Sequence, residues 1–412
     1  MFSRTARVGT GLVAVALVIT GCGSKGSSSG GAGGSGQSGT LTLGASLSLT
    51  GSLAREGQLT KEGYELCKQK VNAKGGVDLG DHKVKLDIKY QDDTSKPDTA
   101  AQLVDQFNDQ GLKLILGPYG SATTEAAAAV VERNGQVMVD SAGADNKIFQ
   151  KGYKRTFAVL SPATEYASSI LKAVDELAQP KPKTVAFLSA DDGFSKTVTE
   201  GAKQTAQKLG MQVVDTEYFP AGSTDVSAQL TKVKGFNPDL IIGSVHLQEG
   251  IAIIKQSTEL GVKPQGFGET VAPPTPDFVK TLGQQAEGVL GSSQWTPQTN
   301  GSDQFFGTAK QYAQDIQQTF GHEPDYHDAE ASAACLAFVL AAQKAKSTNP
   351  DKVREALAGL DAKTFFGQIK FDQTGQNTFK PMSVIQIQNG QAVAVWPKDS
   401  AAAKLTWPGA HA

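Results

Sequence analysis

Cysteine is scarce, at three residues in 412. That excludes a small disulfide-stapled scaffold, and no C-x-x-C pair is present to hold a metal or a redox couple. Histidine numbers only five. With no H-E-x-x-H, G-x-S-x-G or P-loop either, material for metal-assisted, triad or nucleotide chemistry is thin, and an enzyme is not expected. Neither sign of charge dominates: 39 Lys+Arg face 41 Asp+Glu. No global basic field therefore exists for nucleic acid or an acidic membrane surface. Long apolar runs are missing apart from one. Leu12–Ile19, inside the uncharged stretch Val8–Thr20, is too short for a comfortable transmembrane helix.

Glycine is abundant, with 45 residues, and 11 of them fall within residues 1–39. The N-terminus therefore reads separately from the rest. Arg4 and Arg7 precede the apolar stretch, which ends at Ile19-Thr20-Gly21-Cys22. These are signal-peptide proportions, with small residues before a cysteine. The tetrapeptide resembles a bacterial lipobox, which implies a lipoprotein signal over 1–21 and diacylglycerol on the Cys22 sulfur. The plainer reading is a secretory signal with an incidental cysteine. Residues 23–39 hold 8 glycines and 6 serines, so 22–39 is expected to be a lipidated cysteine on a flexible tether of roughly 21–25 Å r.m.s.. The G-x-G-x-x-G match at Gly31–Gly36 has no strand before it and no helix after it, and reads as composition.

From Thr40 short apolar strands alternate with amphipathic helices, the pattern of parallel sheets covered on both faces. The first series predicts strands at Thr40–Leu49, Lys83–Tyr90, Leu112–Leu116 and Gln136–Asp140, with helices at Glu56–Ala73, Pro97–Gln110 and Ala122–Asn134. A second series predicts strands at Thr184–Ser189, Gln212–Tyr218, Leu240–Ser244, Gly266–Gly268 and Gly288–Ser292, with helices at Phe194–Leu209, Val226–Gly235, Gln248–Leu260 and Asp277–Leu282. The tail adds helices at Asp303–Phe320, His327–Lys346 and Pro350–Leu360, then strands around Gln368–Asp372, Met382–Asn389 and Ala392–Trp396. The fold class is α/β: two doubly wound lobes with parallel-rich sheets joined by hinge crossovers. Residues 40–161 with about 295–365 are expected to form the N-terminal lobe, and 162–294 with about 366–412 the C-terminal lobe.

Several segments then fall in a meaningful order: Leu43-Gly44-Ala45-Ser46 through Gly51-Ser52-Leu53-Ala54, Val71-Asn72-Ala73-Lys74-Gly75-Gly76, Tyr90-Gln91-Asp92-Asp93-Thr94, Leu116-Gly117-Pro118-Tyr119-Gly120-Ser121 and Ala286-Glu287-Gly288-Val289-Leu290-Gly291. Together, over residues 40–400, they resemble the type I periplasmic binding proteins of the leucine/isoleucine/valine-binding class. The resemblance implies a monomeric clamp without cofactor that closes on a small carboxylate ligand and delivers it to an ABC permease. It also implies a place on the outer face of the cytoplasmic membrane, with a hydrophobic or branched-chain amino acid as ligand.

Residue by residue, the resemblance gives Ser121 a ligand carboxylate, and a Ser at a helix start is in any case a natural N-cap. In Ser141-Ala142-Gly143-Ala144, Ala142 offers backbone N–H, while Ala144 stands where the family has a threonine hydroxyl. Phe194 aligns with an aromatic that covers the ligand, or is a helix-start staple. His246 aligns with a cleft-lining tyrosine. Glu269 falls one place before the family's ammonium-binding acid, so either Glu269 or Thr270 takes that position; an amine-free aromatic acid or short amide is the alternative ligand. Glu56 would approach an ammonium from the other side, or is simply a helix-start acid favoured by the dipole. A ligand sensor working with a separate signalling partner is a further alternative.

His322-Glu323-Pro324-Asp325-Tyr326-His327-Asp328 packs five possible metal ligands into seven residues. Pro324 and the acids also suit the approach to a helix N-terminus, and no metal is expected. Cys67 and Cys335, each on a predicted first-lobe helix of an exported chain, form either a disulfide or two buried thiols.

Overall fold

The computed structural model describes residues 39–411. The expected signal, Cys22 and nearly all of the tether lie outside the described residues. In chain order the first elements are β1 (Thr40–Leu47), α1 (Ala54–Ala73), β2 (Val77–Asp78), β3 (Lys83–Asp92), α2 (Pro97–Asp109), β4 (Leu114–Leu116), α3 (Ser121–Asn134), β5 (Val137–Asp140), α4 (Asn146–Phe149) and β6 (Thr156–Ala158). They are followed by α5 (Tyr166–Leu177), β7 (Thr184–Ala190), α6 (Gly193–Lys208), β8 (Gln212–Phe219), α7 (Ser227–Phe236), β9 (Leu240–Ser244), α8 (Leu247–Leu260), β10 (Gly266–Glu269), α9 (Pro276–Leu282) and β11 (Leu290–Ser293). The tail comprises β12 (Ser302–Asp303), β13 (Gly307–Thr308), α10 (Ala309–Phe320), α11 (Tyr326–Ala345), α12 (Pro350–Ala358), β14 (Asp361–Thr364), β15 (Gly367–Lys370), β16 (Ser383–Gln388) and β17 (Gln391–Trp396).

The first sheet runs β2-β3-β1-β4-β5-β6 and the second β17-β16-β11-β10-β9-β7-β8. From β3 to β6 the first is parallel, and from β8 to β11 so is the second; β2, β16 and β17 add antiparallel edges. Strand order reverses between β1 and β4 in one sheet and between β7 and β9 in the other. Those switch points open the crevices in which doubly wound sheets hold ligands.

Side-chain periodicity explains the layering. In β3, Val84, Leu86 and Ile88 are buried while Lys83, Lys85, Asp87 and Lys89 are exposed, the two-residue period of a strand with one wet face. β7 is buried from Val185 onward, as a central strand covered on both faces should be. Helices α1 and α11 cover the first sheet, joined by a Cys67–Cys335 disulfide with Cα atoms 6.3 Å apart. Ile253 and Ile254 of α8 pack with Ile241 and Phe267 of the second sheet.

The chain crosses between the sheets three times, near Ser161, Gln294 and Lys380, and these residues bind one another. Ser161 N–H donates to Gln294 Oε1 (2.9 Å), Gln294 Nε2 returns to Ser161 O (3.1 Å), Ser161 Oγ donates to Lys380 O (2.8 Å), and Lys380 Nζ donates to Gln294 O. Phe366, Ile369 and Phe371, expected with the second lobe, pack in the first core. The third crossing therefore comes after the boundary expected near 365, because β14 and β15 form a ribbon of their own beside that core.

Most predicted elements are present. β2, β6, α4, α5, the β12–β13 ribbon and β14 are not predicted from the sequence, whereas β15 falls on the strand expected around Gln368–Asp372. α10 starts at Ala309 rather than Asp303 because Thr308 forms a capping box: Gln311 N–H donates to its Oγ1 and Thr308 N–H donates to Gln311 Oε1. Among the described residues no helix is long and apolar enough to cross a membrane.

Candidate ligand-binding site

A cleft of about 500 Å³ lies where the carboxyl ends of the two sheets meet. The segments after β1, β3, β4 and β5 supply one wall, and those after β7, β8 and β9 the other. Both topological switch points therefore open into the same space.

On the first wall, α1 packs so closely over the end of β1 that a Cβ on Gly57 would lie 1.9 Å from Ser48 O. Glycine permits that approach and so seats the neighbouring Glu56, buried, against the cleft. Glu56 Oε1 accepts a hydrogen bond from Leu247 N–H of α8 on the opposite wall (3.4 Å). Gly120, at φ +91°, turns the chain into α3, making Ser121 the first helical residue. Ser121 Oγ accepts from Asp145 N–H (3.1 Å). The Asp145 carboxylate caps α4 through Lys147 N–H (3.0 Å) and accepts from Thr197 Oγ1 of α6 (2.8 Å), a second link between the walls.

On the second wall, Asp192 caps α6 by accepting from Ser195 N–H (2.8 Å). Phe194 follows it, with its ring centroid 5.2 Å from Tyr166 and 5.3 Å from His246. His246 is the N-cap residue of α8, and its Nδ1 lies 3.4 Å from Tyr119 Oη. Tyr119 Oη is also 3.4 Å from His327 Nε2, deep behind the first wall. In the first turn of α8 the buried Glu249 accepts from Gly222 N–H (2.8 Å).

The charge in the cleft is of one sign. Glu56, Glu125, Asp145, Asp192 and Glu249 line it, with no lysine or arginine among the described residues that do so. Glu125 is engaged by Lys151 at 2.5 Å, and burial raises the Asp145 carboxyl above its ordinary value. The first turns of α3, α6 and α8 also face the cleft as complementary positive ends. Asp192 and Glu56 already accept from one N–H each of α6 and α8, while α3 has no side-chain cap. Carboxylate side chains beside helix N-termini suit a zwitterion: its anion on a helix end, its cation on an acid.

A family model for the periplasmic binding proteins matches residues 40–392. The chain belongs to the periplasmic binding protein family. It is 23% identical over 392 residues to the Leu/Ile/Val-binding protein homolog 7 of Brucella suis, covering 92% of this chain and 96% of that one. The branched-chain amino acid binding protein LivJ of Streptococcus pneumoniae, solved with isoleucine, superposes with a TM-score of 0.76 at 23% identity, over 90% of this chain and all of that one. A solute binding protein of Rhodopseudomonas palustris solved with 3,4-dihydroxybenzoic acid gives 0.75 at 18% identity, over 88% and 98%.

In this periplasmic binding protein the fold gathers Ser121, Phe194, His246 and Glu56 around the cleft, and sends the other four expected ligand residues elsewhere. β10 runs one residue further than predicted, so Glu269 is still within the sheet, paired with Gly243 and Gly291. By strand alternation it shares a face with Phe267, and its carboxylate points at α8, where a Cβ on Gly250 would touch Oε2. Both its oxygens are buried without a partner, and burial, then the charge of Glu249, pushes its carboxyl well above the ordinary range. Thr270 is occupied too: Oγ1 donates to Val245 O (2.6 Å) and accepts from Val245 N–H (2.9 Å). Ala142 N–H and its neighbour Gly143 N–H both donate to Asp140 Oδ1 (3.0 and 2.8 Å), leaving neither free. Ala144 is buried in the core, its carbonyl accepting from Ala163 N–H. Four acids that line the cleft were not foreseen: Asp145 and Asp192 are N-caps, Glu249 lies in a first helical turn, and Glu125 lies near the start of α3, all just past strand ends. That position was the available signal.

Proposed function

We propose that this protein is the substrate-binding component of an ABC importer and that its ligand is an α-amino acid with a hydrophobic side chain. The supporting observation is the five-acid cleft, without lysine or arginine among the described residues that line it, set against three helix N-termini. In this reading the ligand carboxylate meets the first turn of α3 at Ser121, the ammonium meets Glu56, and Phe194 and His246 flank the side chain. Ligand contact with both walls then favours the closed arrangement over an open one, a population shift that needs no covalent step. The LivJ likeness supports the ligand class.

An aromatic acid is the second reading, favoured by the Phe194–His246 pair and by the dihydroxybenzoate-bound neighbour. A benzoate carries only negative charge, so it would rely on helix ends against nearby acids, and the amino acid fits better. We further propose that Cys22 is lipidated and holds the protein at the outer face of the cytoplasmic membrane through the Gly/Ser tether. Two or three acyl chains there would anchor durably, where one would not. Cys22→Ser should then release the chain from the membrane fraction.

A thermal-shift screen of the full chain against amino acids, aromatic acids and amides tests the ligand class. At 100 times Kd a ligand adds about 2.7 kcal/mol to stability. Shifts with amino acids alone support the reading, and shifts with aromatic acids alone overturn it.

A further inference from the structure

We propose that Glu62, His322 and Asp328 form a binding site for a divalent transition cation, separate from the ligand cleft. The run His322–Asp328 supplies two of the ligands and the fold brings the third from α1. One ligand atom from each of the three residues falls within 4.8 Å of the others.

The histidine is prepared as a metal ligand is. Its Nδ1 lies 2.8 Å from Glu323 O, and a carbonyl only accepts, so Nδ1 carries the hydrogen. Nε2 faces Glu62 Oε2 at 2.6 Å, and that carboxylate too only accepts, so without metal Nε2 donates to it and a bound cation takes the place of that proton. A metal-bound imidazole characteristically donates its other N–H to a carbonyl or carboxylate in this way. Asp328 supplies an independent sign. It is fully buried, its Oδ2 accepts from Asp325 N–H (3.3 Å), and its Oδ1 has no partner. A buried carboxylate oxygen without a partner is costly, and a cation beside it removes that cost.

The frame around the site is rigid where the carboxylates sit. A Cβ on Gly63 would lie 2.2 Å from Asp328 O, and Ser332 Oγ donates to Gly63 O at 2.6 Å. The Cys67–Cys335 bridge closes the same helix pair further along. His322 stands instead on the connection between α10 and α11, and its side chain and that of Glu62 keep 18% and 14% exposure, enough for a cation to enter. Zinc–ligand distances near 2.1 Å place tetrahedral donors about 3.4 Å apart, so the Nε2–Oε2 contact of 2.6 Å opens by about 0.8 Å when a metal enters between them. One nitrogen and two carboxylate oxygens suit Zn²⁺ and its first-row neighbours better than Ca²⁺.

The test is Zn²⁺ titration of the untagged, EDTA-stripped full chain in competition with a chromophoric zinc indicator. One equivalent should bind, and both His322→Gln and Glu62→Gln should weaken it at least tenfold, while His82→Gln at the exposed His82–Asp81 pair should not. Zn²⁺ should also raise the melting temperature of the parent chain and not of His322→Gln. These two variants change partly exposed side chains, so folding is retained where Asp328→Asn could lose it. Absence of stoichiometric binding, or unchanged affinity in both variants, overturns the proposal.

Discussion

Glu56 Oε1 accepts from Leu247 N–H, 3.4 Å away and 191 positions along the chain. A carboxylate from α1 thus sits on the N-terminus of α8, across the cleft from its own helix. The same carboxylate is the proposed ammonium partner. Glu56→Gln should therefore weaken amino-acid binding at least about 30-fold, the 2 kcal/mol lower bound for truncating one member of a buried charged pair. Glu269→Gln should leave calorimetric affinity within about threefold. The opposite pattern would return the ammonium site to the end of β10.

Arg55, one residue earlier, reaches over the rim: its Nε lies 2.5 Å from Asp277 Oδ2 of α9. The pair joins the first-sheet side to the second and can form only while the two are this close. Its side chains are 29% and 31% exposed, so the pair contributes modestly, about 0.2–1 kcal/mol. Arg55→Gln should raise the ligand Kd about twofold to fivefold, more at low salt than at high. An unchanged Kd across salt would show that the pair has no part in closure.

Lys380 tests the crossing segments. Burial lowers its ammonium to about 7, opposed by the charge of Glu330, and Nζ sits 4.6 Å from the Phe366 ring centroid. Between pH 7 and the unfolded value near 10.5 the unfolded chain binds more protons than the folded one, so this group makes stability rise with pH. Below pH 7 both states carry the charge and the contribution is flat. Comparing chemical denaturation of the parent and Lys380→Met from pH 6 to 9.5, the slope difference should approach about 1.4 kcal/mol per pH unit above pH 7. Parallel slopes would show that Lys380 titrates normally.

Much of the scaffold was legible because strands such as β3 alternate and helices such as α2 carry a regular apolar stripe. Ser121, Phe194, His246 and Glu56 were legible at the cleft only through the family resemblance and not through periodicity, although each does follow a strand end at or beside a switch point. Glu269 was misplaced by one residue of strand length: ending β10 at Gly268 puts the acid in a loop, whereas extending it turns the side chain into the α8 interface. Ala142 was misjudged because Asp140 captures its N–H, a contact with no periodic signature. The Glu62–His322–Asp328 cluster joins positions 260 residues apart, which no local pattern could show. α5 was overlooked although Tyr166, Ile170 and Val174 recur every fourth residue.

The Cys67–Cys335 bridge closes 268 residues of chain. Removing a crosslink of that span should cost about 2–4 kcal/mol, chiefly by freeing the unfolded state. Cys67→Ala/Cys335→Ala should therefore unfold at lower denaturant than its parent under non-reducing conditions. In a Cys22→Ser background, denatured unreduced protein should show no reactive thiol; two would replace the bridge with free cysteines.

The central claim is that the cleft recognises an ammonium and a carboxylate together. Isothermal titration of the full chain with leucine, 4-methylpentanoate and 3-methylbutylamine tests it most directly, since the last two are leucine without its amine and without its carboxylate. Leucine should bind and each truncated analogue should lose at least about 30-fold, because each leaves a buried polar partner unmatched. Binding of 4-methylpentanoate as tightly as leucine, or of benzoates in place of both, would contradict the account.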